Sequence, residues 1–259
     1  MKINEYYQET ANIWLNGSIA ALFPAVFIIG GNLSFIQNKE IMLLTIPFFV
    51  YSFFSFQIYL FKKRQSISIG RNIVKSKRGY HSIFDASHLL IMYLNIQASR
   101  LMLFFPDGFQ AGFIKRCRKK ELGIFSKVYA LYNSDNRIIS YYRIKKKRHL
   151  KIEVFSINME YLGCYEKKRI DWLRYKKELL NASGRFIGSV EGSKMFMDEQ
   201  VIDKSKLQIG RLRRGWMPLE WSSRFPEANT PVLTFAGGIS KKDKLLRISF
   251  LIHEFFIER

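Results

Sequence analysis

The chain opens on two long uncharged runs. Residues 13–35 (IWLNGSIAALFPAVFIIGGNLSF) and 41–61 (IMLLTIPFFVYSFFSFQIYLF) hold no Asp, Glu, Lys or Arg. The second is 21 residues long, and a helix of about 20 apolar residues spans the hydrocarbon core of a bilayer. Pro47 is tolerated in such a helix, and Tyr51 and Tyr59 suit an interface. Asn16, Pro24 and Asn32 interrupt the first run. A cleaved leader would need a basic start, but here Lys2 faces Glu5 and Glu9. Residues 1–61 therefore predict a transmembrane hairpin that turns around Gln37 to Glu40.

From residue 62 the pattern changes. Residues 62–94 read as a basic linker with a short helix over Ser82 to Tyr93, where His88, Leu89, Leu90 and Met92 follow Asp85. Beyond it, four segments share one template: LFFPDGFQAG (103–112), LYNSDNRIIS (131–140), VFSINMEYLG (154–163) and LLNASGRFIG (179–188). Each is an apolar strand end, a turn and a returning strand that reaches Gly or Ser. Asn, Asp, Ser and Gly supply the turn chemistry. Spacings of 28, 23 and 25 residues are too irregular for a rigid solenoid. They suit successive antiparallel hairpins. Further strands are expected at Arg185–Glu191, Lys194–Met197, Lys206–Leu212 and Pro231–Phe235.

The last run, KLLRISFLIHEFFIER (244–259), is apolar on nearly every side. That pattern demands burial all round, and the run is too short to span a bilayer. A sandwich of two sheets has no room for such a helix, whereas a wide barrel has a lumen to fill. The expected fold is thus mainly β with membrane helices. An N-terminal two-helix transmembrane hairpin precedes a closed antiparallel β-barrel, residues 95–259, wrapped around a C-terminal hydrophobic helix at about 242–257. Gly237-Gly238 would let the chain turn inward.

The hairpin units together with this ending, where Phe250, Leu251, Ile252, His253, Phe255, Phe256 and Glu258 form an apolar triplet, a polar residue and an aromatic cluster closed by Glu, resemble the tubby-like superfamily. That group includes the tubby C-terminal domain, the phospholipid scramblases and the LURP-one-related proteins. The resemblance covers residues 95 to 259. It implies a barrel of about 12 strands around a central helix and permits head-group binding of the tubby type. No family binding motif is matched residue by residue.

Charge sharpens this picture. Only two of the 42 basic residues and three of the 21 acidic ones lie in residues 1–61, so residues 62–259 carry 40 against 18, a net +22. Lys62, Lys63, Arg64, Arg71, Lys75, Lys77 and Arg78 directly follow the second run, which predicts cytoplasmic termini. The strand connections hold three basic clusters: Lys115, Arg116, Arg118, Lys119 and Lys120; Lys145, Lys146, Lys147, Arg148 and His149; Lys167, Lys168 and Arg169. The tips opposite carry Asp107 and Asp135. One rim should therefore be basic and attract anionic lipid at the cytoplasmic face of the membrane, or an acidic protein partner. A further membrane protein could bind through the two spans.

Catalytic signals are absent. The chain has no P-loop, G-x-G-x-x-G, nucleophile elbow, H-E-x-x-H or EF-hand pattern, so no catalytic residue, metal or cofactor is expected. His253 reads as a core histidine. Arg116 and Arg118 would lower the pKa of Cys117. Tyr141, Tyr142 and Tyr165 stand beside basic runs in the manner of a nucleic-acid binder, but a membrane anchor argues against that partner.

Overall fold

A computed structural model of the chain describes residues 1–74, 79, 82–94, 99–123, 126–146, 149–171, 174–193 and 198–258. The chain divides into two units, Met1–Ser76 and Lys77–Arg259.

The first unit is a helical hairpin of α1 (Ile3–Gly31), α2 (Lys39–Leu43) and α3 (Ile46–Val74). A wider turn, Asn32–Ile36, ends α1. Gln37 then takes the left-handed conformation (φ 51°), and Asn38 caps α2 by accepting from the Glu40 N–H. The long helices run antiparallel, since Ser18 Oγ meets Ser52 O at 3.0 Å and Ser66 Oγ donates to Asn4 O at 2.7 Å. Both are long and apolar enough to cross a membrane, and only 11% and 17% of their most apolar windows are buried. A core helix would be mostly covered. Here Phe27, Phe35, Phe53 and Phe54 stand exposed. α3 continues through the basic residues to Val74, so the first part of the expected linker is helix.

The second unit is a closed barrel of twelve antiparallel strands, β1 pairing with β12. They are β1 (His88–Leu94), β2 (Arg100–Phe104), β3 (Gln110–Cys117), β4 (Lys127–Asn133), β5 (Ile138–Lys146), β6 (Leu150–Ser156), β7 (Tyr161–Arg169), β8 (Tyr175–Asn181), β9 (Phe186–Ser193), β10 (Asp198–Asp203), β11 (Gln208–Arg213) and β12 (Val232–Phe235). The expected helix at Ser82–Tyr93 is instead β1, and the barrel begins before residue 95. Leu89 and Ile91 face the lumen core, while Leu90 and Met92 are buried on the other face. A strand covered on both faces loses its alternation and mimics a buried helix. The outer cover comes from residues 214–231, where Phe225 packs on Phe104 and Trp221 on His88. The expected strand at Lys194–Met197 lies outside the described residues.

The hairpin template has a common geometry. In five turns the first residue's N–H donates to the carbonyl of the residue four further on: Phe105 to Phe109, Asn133 to Arg137, Ser156 to Glu160, Asn181 to Arg185 and Asp203 to Leu207. The fourth residue of each turn is left-handed: Gly108, Asn136, Met159, Gly184 and Lys206. Just inside each turn a large lumen residue sits opposite a small one, at a register shift: Leu103 and Gly112, Leu131 and Ser140, Val154 and Gly163, Leu179 and Gly188, Val201 and Gly210. Such bulges bend a sheet, and the small partners leave the lumen open at that level.

That space holds α4 (Lys241–Phe256). Ser240 caps its N-terminus by accepting from the Asp243 N–H. Gly238 (φ 75°) turns the chain in from β12. Leu245, Leu246, Ile248, Phe250, Leu251, Ile252 and Phe255 are all buried in the lumen core.

Candidate functional site at the basic mouth of the barrel

The topology gives the barrel two different ends. The five hairpin turns lie at one, and α4 enters there, where Lys244 Nζ donates to Phe84 O (2.6 Å) and Ala86 O (2.8 Å). The connections after β3, β5, β7, β9 and β11 lie at the other, the mouth, where α4 ends.

Alternation along the strands decides what each basic residue does there. Lys115 points outward and lies over the rings of Phe113 and Tyr132, at 5.4 and 4.6 Å from their centroids. Arg116, Arg118, Lys119 and Lys120 line one cleft of ≈ 540 Å³ with Cys117, Gly123 and Ser126. Lys119 also pairs with Glu121 at 3.2 Å. Lys145 is bound outward to Glu153 at 2.8 Å, which Arg143 also holds. Lys146 is exposed at the mouth. Lys147 and Arg148 lie outside the described residues. Lys168 pairs with Glu166 at 2.7 Å, and Arg169 Nε donates to Asp171 O at 3.1 Å. Lys167 turns into the lumen. Lys127, Arg174, Lys176 and Arg214 stand exposed at the same end. They lie outside the three dense clusters and belong to the rim only through the topology.

The inward-facing charges form a buried cluster around the last turn of α4. Lys177 on β8 contacts Glu199 on β10 and reaches Glu254 at 3.1 Å. His253 Nδ1 donates to Glu254 Oε1 at 2.6 Å, and its Nε2 accepts from Lys167 at 3.1 Å. Lys167 also contacts Glu258. Burial, followed by repulsion from Glu254, pushes the Glu199 carboxyl up to about 7 although Lys177 opposes this. Burial also acts upward on Glu254, yet the His253 hydrogen bond and Lys177 outweigh it and hold that carboxyl down at about 2. Two carboxylates share one ammonium, so they titrate as a coupled pair.

Among the described residues, His253, Glu254 and Glu258 are close enough to hold a metal ion, with ligand atoms within 4.8 Å. They do not fit one, because the ammonium groups of Lys167 and Lys177 already neutralise these carboxylates. His253 is 1% exposed and fully engaged. Burial pushes the Cys117 thiol up, with Lys115 and Lys119 opposing. Desolvation thus outweighs the basic neighbours, in keeping with an incidental cysteine that has no His close by in the chain to activate it. Tyr142 and Tyr165 are buried in the lumen and Tyr141 is nearly covered, so none of these three rings is open for a base to stack on.

α4 packs most closely on β7 and then on β6. A second cleft of ≈ 600 Å³ at the mouth, over β4 to β6, is lined by Ser126, Lys127, Tyr129, Ile144, Lys145, Lys146, Leu150, Phe256 and Ile257. Tyr129 and Phe256 form its floor, ring centroids 4.6 Å apart. Comparison of the chain with protein-family models, curated proteins and solved structures finds no match in any of the three.

Proposed function

We propose that the protein is a membrane-anchored, non-enzymatic binding module whose basic barrel mouth engages anionic lipid head groups. Its two apolar helices anchor it in the cell membrane with both termini cytoplasmic, and the barrel belongs to the tubby-like superfamily. The closed twelve-strand wall around a C-terminal helix supports that placement. The observation that carries the reading is the asymmetry of the two ends. The mouth gathers Arg116, Arg118, Lys119, Lys120, Lys127 and Lys146 around two clefts with Arg174 and Lys176 nearby, while the other end mixes Asp107, Asp135, Asp203 and Asp243 with Arg137, Arg185, Lys204 and Lys241. Each Lys or Arg near an anionic surface is worth about 1 kcal/mol, so even a few of them hold the mouth to such a surface.

The test uses the full-length protein in neutral phosphatidylcholine nanodiscs, mixed with separate vesicles. The discs should float with vesicles containing phosphatidylserine and stay behind with phosphatidylcholine alone, and salt should release them. Equal flotation with both vesicle types would refute the reading.

A further inference from the structure

We propose that the cleft over β4 to β6 at the mouth is a binding site for a single-chain anionic amphiphile, a fatty carboxylate being the simplest member. This rests on the reading of the mouth as a lipid-facing surface and adds a molecular ligand to it.

The lining sets cations beside apolar groups. Lys127 and Tyr129 alternate on β4, Ile144 and Lys146 on β5, and Leu150 begins β6. All five share the lumen-facing parity of Leu131, Tyr142 and Ile152. The register sets Lys127 against Ile144 and Lys146 against Leu150. Each lysine therefore stands level with an apolar residue, Tyr129 lies one step further in, and Phe256 and Ile257 of the chain end complete the lining. A cation pair beside apolar groups matches an anionic head on a hydrocarbon chain. The ≈ 600 Å³ volume falls within the roughly 300–1,000 Å³ of small-molecule sites.

Two comparisons within the mouth favour this cleft. The neighbouring cleft, lined by Arg116, Arg118, Lys119 and Lys120, has no such apolar lining. It suits a head group without a chain. Ser126 borders both clefts, so a head group held there lies next to the second set of cations. Lys145, by contrast, is committed to Glu153. Lys127 and Lys146 form no ion pair with a carboxylate among the described residues, so their ammonium groups remain for the ligand.

Photo-crosslinking tests the site. Full-length protein in phosphatidylcholine nanodiscs is irradiated with a diazirine-bearing fatty acid or the matching fatty alcohol, and labelled peptides are mapped by mass spectrometry. The acid should label the segments around Tyr129, Ile144–Leu150 and Phe256–Ile257. Excess palmitate should compete, and the alcohol should label at least tenfold less. Ile144→Trp, which fills the cleft, should abolish this labelling while flotation with phosphatidylserine vesicles persists. Leu150→Trp serves the same purpose should the first variant not fold. Labelling confined to the membrane helices, equal labelling by the alcohol, or labelling that survives both Trp variants overturns the site. Loss of flotation with intact cleft labelling would instead count against the surface reading alone.

Discussion

Lys177 Nζ on β8 lies 3.1 Å from Glu254 Oε1 in the last turn of α4, and the same ammonium contacts Glu199 on β10. One buried cation thus ties the barrel wall to the helix inside it. Removing it leaves the buried Glu199 carboxyl without its cation and Glu254 with His253 alone. Breaking a buried pair in this way costs about 3–5 kcal/mol. Lys177→Met should lower stability by that amount, read as a denaturant midpoint from tryptophan fluorescence of the reconstituted protein. An unchanged midpoint would show that the cluster does not hold the helix.

The same cluster sets a pH dependence. The folded state keeps Glu199 protonated up to about 7, against an ordinary 4.5. The unfolded state releases that proton earlier, so this group's contribution to stability falls as pH rises through the window between the two values. Glu254, held at about 2, contributes stability that is present above 4.5 and lost as pH falls toward its folded value. Glu199→Gln should therefore remove a decline on the order of 2–3 kcal/mol between mildly acidic and neutral pH. Denaturation curves across that range check it, and a slope identical to the parent protein's would count against the assignment.

Arg247 presents the opposite case. It is 7% exposed inside the barrel, and its Nε and Nη1 have no hydrogen-bond partner. Burial, opposed by Asp243 and Asp203, lowers its pKa. An unsatisfied buried group costs about 1–3 kcal/mol, so Arg247→Met should leave the protein equally stable or raise its stability by up to that amount. A large loss would mean that Arg247 has a partner that matters.

The turns offer a paired test. Gly163 has φ 139°, and a Cβ there would collide with the Leu180 carbonyl oxygen. Gly163→Ala should cost about 1–3 kcal/mol from backbone strain alone. Lys206 occupies the left-handed position (φ 61°) that Gly108 and Gly184 fill in the equivalent turns. Lys206→Gly should gain about 0.5–1 kcal/mol. Melting the two variants beside the parent protein decides whether the shared turn geometry is real.

These elements also mark what the sequence discloses. Four of the five hairpins were legible from Asn, Ser, Asp or Gly in the turn and a small residue nine positions after the apolar one; the fifth, Val201 to Gly210, was not, and Lys206 holds its left-handed position. The core helix was legible because it has no polar face. β1 was not, because burial on both faces erased its alternation. Lys167 read as a rim cation because its neighbours Lys168 and Arg169 are. Only strand parity, fixed by the register of Tyr165, turns it inward. The ion cluster was invisible for a stronger reason: Lys167, Lys177, Glu199 and Glu254 come from β7, β8, β10 and α4, and they meet only once the barrel closes.

The central claim is that anionic lipid is recognised by the mouth and not by net charge, and two variants with equal charge change separate these. One reverses Lys119, Lys120, Lys127 and Lys146 to Glu at the mouth. The other reverses Arg137, Arg185, Lys204 and Lys241 to Glu at the turn end. In the nanodisc flotation assay the first should lose about 4 kcal/mol or more of affinity for phosphatidylserine vesicles, roughly three orders of magnitude. The second should bind within a few-fold of the parent protein. Equal losses in both would contradict the account.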